Sequence, residues 1–122
     1  MTSTVAHELV QKSLLGEAVD RGPVAIFVAD DDERYLAVNA YACELLGYER
    51  DELLALRVTD VAVNDSAVAD YRGLQRGAVH TGLTVLRHKD GTELMMNFRA
   101  SQTLVGGMEL YVGVCWPVTE AS

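Results

Sequence analysis

The chain has 122 residues, 49% hydrophobic and 23% charged, which suits one globular core and excludes a disordered polyelectrolyte. Eighteen Asp and Glu against ten Lys and Arg leave a formal net charge of −8 at pH 7. That charge repels phosphate backbones and anionic lipid, so neither nucleic acid nor a membrane is expected as a partner.

The first twenty-odd residues predict a helix ended by Gly22-Pro23. Its apolar links, Val5 to Leu9, Val10 to Leu14 to Ala18 and Leu15 to Val19, lie on more than one face. A helix with two partial stripes is expected to pack on its own domain and on something else, such as its copy in a dimer. Val24 to Ala29 is a short apolar run that predicts a strand buried on both faces. Asp30 to Glu33 breaks it, and Arg34 to Val38 resumes, so the two form a hairpin. Asn39 is a natural N-cap for a helix over Ala40 to Leu46, with Gly47 as its stop. A second short helix follows from about Arg50 to Leu56, with Asp51 and Glu52 at its positive end.

Asn64-Asp65-Ser66 opens a third predicted helix that runs to Arg76, and Gly77 ends it. The period then changes. Ala78 to His88 and Thr92 to Leu104 predict two strands joined by the Lys89-Asp90-Gly91 turn. Gly106-Gly107 turns the chain into a last strand, Met108 to Trp116. Helices grouped against hairpin-linked strands imply an α+β fold: an antiparallel sheet of about five strands, short helices on one face, and an N-terminal flanking helix.

The run Val38 to Leu54, VNAYACELLGYERDELL, resembles the segment of PAS sensor domains in which an Asn opens the first helix of the helical block. The Lys89-Asp90-Gly91 turn and the ending LYVGVCWPVTE resemble the last two hairpin strands of that fold. The resemblance covers Gly22 to Glu120, so 1–21 is expected to be a flanking helix and 22–120 a PAS domain. It departs from the family at Ala55, where a Gly is usual, and at Val63-Asn64-Asp65. At Pro117-Val118-Thr119 the acidic residue that often couples a PAS core to an output helix is missing, which argues against output through a C-terminal coiled coil. The ending Ala121-Ser122 fits a complete chain and a piece of a longer signalling protein alike.

Little in the chain points to catalysis, and no enzyme is expected. It has no Gly-rich phosphate loop, no nucleophile elbow and no metal-spaced His and Cys set. Asp30, Asp31, Asp32 and Glu33 read as a solvated turn rather than a cation site. With only Cys43 and Cys115, a disulfide scaffold is excluded and a reducing compartment is expected. No stretch reaches bilayer length and no leader is evident, so the default localisation is cytoplasmic.

Cofactors follow the same pattern. Haem-binding PAS relatives take an axial His from the helix before the third strand, and here His80 lies just beyond that helix. Flavin photoreceptor relatives carry a Cys in the helical block where this chain has Arg57-Val58-Thr59-Asp60-Val61, so neither haem nor flavin is expected. Cys43 reads as a small buried hydrophobe, since nothing basic follows it at helical spacing.

Alternation along the fourth strand turns Leu94, Met96, Phe98 and Ala100 towards the helices. The resemblance places Tyr111, Gly113 and Cys115 inward on the last strand. Met96, Phe98, Tyr111, Gly113 and Cys115, joined by Tyr41 and Leu86, are therefore the candidate lining of a cavity for a small apolar or aromatic ligand. The outward set of that strand, Leu110, Val112, Val114 and Trp116, is the more hydrophobic. Leu9, Val112, Val114 and Trp116 are thus the candidate surface of a homodimer. The expected function is a PAS-type sensory and protein-interaction module that works with a signalling partner or effector domain. The alternatives are an interaction-only PAS with a filled core, a haem or flavin sensor, and a small cavity enzyme.

Overall fold

The computed structural model describes residues 10–11, 13–14, 16–63 and 79–118. Strands β1 (Ala25–Ala29) and β2 (Tyr35–Val38) precede helices α1 (Ala40–Leu46), α2 (Arg50–Leu54) and α3 (Val58–Val61). Strands β3 (Val79–Arg87), β4 (Glu93–Val105) and β5 (Met108–Pro117) follow. All neighbours pair antiparallel, in the order β2-β1-β5-β4-β3. The first strand thus sits beside the last, and the helical block carries the chain from one sheet edge to the other.

Most predicted elements lie within a residue or two of their observed positions. The single-turn helix α3 has no counterpart among them. The predicted helix over 66–76 lies outside the described residues, as do Leu9 and most of the leading helix, of which residues 16–20 are helical. β1 is not buried on both faces. Ala25, Phe27 and Ala29 are buried, whereas Ile26 and Val28 on the other side are half-buried.

One layer of core joins the helices to the sheet. Ala42, Leu46, Leu53, Val58 and Val61 pack on Ala25, Phe27, Tyr35, Leu86, Met96, Phe98 and Ala100. Alternation explains which residues of β4 take part: Met96, Phe98, Ala100 and Gln102 are buried, while Met95 and Arg99 of the opposite face are exposed and Asn97 and Ser101 half-buried.

Asn39 sets the angle between the layers. Its Oδ1 caps α1 by accepting from the Ala42 N–H (3.0 Å) and also accepts from the Ile26 N–H (2.9 Å). Its Nδ2 donates to the carbonyls of Val19 (2.6 Å) and Val24 (2.8 Å). The amide is buried, so these four bonds replace water completely. At the other end of α1, Gly47 takes φ +77°, and a Cβ there would stand 2.4 Å from Cε1 of His88. The β3–β4 turn is held to the same end by the Lys89 N–H donating to the Leu46 carbonyl (2.9 Å).

Asn39→Ala removes four hydrogen bonds at ~0.5–1.5 kcal/mol each, so it should cost about 2–6 kcal/mol in urea denaturation. Asn39→Asp keeps both acceptor bonds but sets an oxygen against the Val19 and Val24 carbonyls, and should be destabilised comparably. A loss below ~1 kcal/mol in both variants would contradict the role of this side chain.

Candidate functional site

Between the layers lies a cavity of about 40 Å³. Among the described residues it is lined by Phe27 of β1, Tyr35 of β2, Val58 and Ala62 at α3, and Thr84 and Leu86 of β3. Phe98 of β4 and Gly113 and Cys115 of β5 complete it. The space exists because β5 contributes a glycine and a small thiol where it faces Phe98 and α3. On β3, Gly82 leaves room for the Phe98 ring, since a Cβ there would stand 3.2 Å from Cε1 of that ring. His80 stacks on the far side of the ring, with centroids 6.4 Å apart.

Four of the seven residues expected to line the cavity do so: Leu86, Phe98, Gly113 and Cys115. Met96 does not; it is fully buried and fills the core instead. Tyr111 pairs with Ala29 and Gln102 and is half-buried away from the lining. Tyr41 faces the other way along α1, and a Cβ on Gly22 would meet its Cδ2 at 3.1 Å. Helical direction decides this: Ala42 and Leu46 face the sheet, which turns Tyr41 to the side.

Sequence reasoning missed Phe27, Tyr35, Val58, Ala62 and Thr84 of the lining, and Thr84 is the one with an unpaired polar atom. It is 5% exposed, and its Oγ1 has no hydrogen-bond partner. Counting outwards from Leu86 by twos places Thr84 on the inner face, which is the signal that could have found it.

Among the described residues the lining carries no charge. Burial pushes the Cys115 thiol up to about 12, so it is protonated and unreactive at neutral pH. Cys43 is half-buried, and burial raises its pKa while the Arg50 guanidinium beside it works in the opposite direction. A basic group does therefore reach Cys43, from the neighbouring helix rather than from its own. Neither haem nor flavin suits a 40 Å³ space with no His among its described lining residues.

The acidic turn is only partly solvated. Asp31 and Asp32 are exposed, and Asp30 Oδ1 accepts from the Asp32 (2.9 Å) and Arg34 (3.0 Å) N–H groups. Glu33, by contrast, is buried with φ +68°, and its carbonyl accepts from the Val58 N–H (2.9 Å). That bond docks α3 against the β1–β2 hairpin.

The outer sheet face is divided in two. Gly16, Val19 and Asp20 border a groove with Ile26, Val28 and Ala37, so the leading helix lies beside β1 and β2. Val112 and Val114 are half-buried, and Trp116, Met95 and Leu83 are 38%, 56% and 57% exposed. Asp20 ties the end of the helix down, accepting from the Ala40 N–H (2.9 Å) and pairing with Arg50 Nη2 (2.7 Å).

Short helices over an antiparallel sheet in this strand order, with a small apolar cavity between the layers, define a class of α+β module. Residues 23–117 match the family model described as PAS domain, and the chain belongs to that family. The PAS domain of an HTR-like protein from Haloarcula marismortui superposes with a TM-score of 0.81 at 18% identity, covering 95% of this chain and 99% of that one. A PAS domain from a two-component sensor histidine kinase gives 0.73 at 16% identity, over 91% and 99% of the two chains. A domain of a sensory box sensor histidine kinase/response regulator from Geobacter sulfurreducens gives 0.68 at 23% identity, over 88% and 96%. No curated protein matches the chain.

At pH 8, Cys115 should resist iodoacetamide until the protein is unfolded, whereas Cys43 should react in the folded state but more slowly than a free thiol. The folded pKa of Cys115 lies above its ordinary 9.0, so the thiol leaves stability unchanged below about pH 9. As pH rises from 9 towards 12, the unfolded chain loses the proton first and stability falls. Cys115→Ala should flatten that slope in urea melts; an unchanged slope would show that the thiol is not its source.

Proposed function

We propose that this chain is a non-catalytic sensory and protein-interaction module that pairs with a second copy through its outer sheet face and leading helix. The row Val112, Val114 and Trp116 carries the reading. Together with Met95, Leu83 and Val85 it forms an apolar surface on β3–β5 that the described part of the leading helix, lying beside β1 and β2, does not cover. No Asp or Glu stands among the outward residues between Thr81 and Val85, Met95 and Thr103, or Leu110 and Trp116. An acidic molecule can therefore meet its own copy here without like charges in contact, and Arg99 is the one formal charge on the patch. Val10 and Leu14 of the leading helix, 54% and 59% exposed, add apolar surface to the same association.

The cavity supplies the input. A small ligand would press on Phe98, Leu86 and Cys115, and the outer residues of those strands would pass the change to the paired copy. Such a switch needs unequal ligand affinity in two packings of the helical block on the sheet. An interaction-only module is the second reading, favoured by the small size of the cavity.

Val114→Glu places a charge at the centre of the apolar row and should reduce the mass seen in sedimentation velocity from dimer to monomer. Circular dichroism of the same sample should stay native. A native-like variant with unchanged mass would rule out this face.

A further inference from the structure

We infer that the cavity accepts a neutral molecule of only a few heavy atoms, with an apolar body and one hydrogen-bonding group, and that Thr84 Oγ1 anchors that group. The inference rests on the ligand-holding part of the proposed function and goes beyond it in naming ligand class and anchor. Thr84 stands opposite Met96 in the β3–β4 register and lines the cavity with a hydroxyl that has no partner. A buried hydroxyl left unpaired is destabilising, and valine has the same shape and the same fit to a strand. The hydroxyl is therefore costly in the empty protein and useful once something in the cavity pairs with it.

The rest of the lining sets the class. Phe27, Val58, Leu86 and Phe98 offer only apolar surface, and none of the described lining residues is charged. An ion would be buried without a counter-charge, so carboxylates and amines are disfavoured. The other polar side chains of the described lining are the Tyr35 phenol and the Cys115 thiol, both neutral. At about 40 Å³ the space is well below the ~150 Å³ known to admit benzene, which points to molecules such as short ketones, alcohols or amides.

Acetone and its hydrocarbon isostere isobutene are the probes, titrated into the whole chain while amide shifts of Thr84, Phe98 and Cys115 are followed by NMR. Acetone should shift these amides saturably, and Thr84→Val should weaken its binding roughly 3- to 10-fold, the equivalent of one neutral hydrogen bond. Isobutene should bind wild type and Thr84→Val alike, and ligand-free Thr84→Val should be at least as stable as wild type. If acetone bound both proteins equally, the anchor would fall and the ligand-holding reading would stand. Were neither probe to bind, the ligand-holding reading would fall and the inference with it. A ligand-free Thr84→Val less stable than wild type would show that the hydroxyl is already satisfied, and would overturn the inference by itself.

Discussion

One buried amide fixes the relation of every layer to the others. Asn39 uses both lone pairs and both N–H groups, and its four partners belong to three segments: the end of the leading helix, the start of β1 and the first turn of α1. In a low-dielectric interior a fully satisfied network is rigid, because moving any one segment exposes an unpaired polar group. The neighbouring Asp20 repeats the connection at the surface through the Ala40 N–H and Arg50. The helical block and the leading helix therefore share a single joint. Any change of packing that shifts α1 must also shift the leading helix.

The cavity is a consequence of side-chain size on a sheet that is otherwise close-packed. Met96 and Leu46 fill their layer completely, while Gly113 and Cys115 on the adjoining strand leave theirs short of atoms. Interiors usually close such gaps, whereas here the aromatic ring of Phe98 lies against Gly82 and His80 on the adjoining strand β3. Among the described residues the gap carries an unpaired hydroxyl and no charge, an environment in which an ion would be buried without a counter-charge.

Much of this was legible because strands and caps write their rules locally. The period of two in Glu93–Val105 sorted inner from outer residues, and Asn39 and Gly47 bracketed a helix by their backbone chemistry. What stayed hidden depends on contacts between distant segments. Arg50 reaches Cys43 across a helix–helix corner, and Glu33 is buried because its carbonyl receives α3. Tyr41 and Met96 looked suited to a cavity by chemistry alone; the rotation of α1 and the packing of β4 place them elsewhere. Three of the four bonds at Asn39 were equally invisible, since only the cap to Ala42 is local.

The sheet is one residue thick, and that thickness would join the two functions we propose for it. On β5, Cys115 lines the cavity while its neighbours Val114 and Trp116 face outward, and on β3 the lining residues Thr84 and Leu86 flank the outward Val85. Phe98 pairs with Cys115 in register, so pressure on the ring from the cavity side is borne by the backbone that presents Val114 and Trp116. β1 completes the circuit through the pairs Ile26 with Val114 and Val28 with Val112, which lead from the open apolar row to the groove beside the leading helix. A displacement too small to break a hydrogen bond can thus change the shape of the outer surface, because adjacent residues of one strand answer to opposite faces. On the function we propose, input and output would need no separate relay in such a fold, only a cavity on one side and an apolar surface on the other.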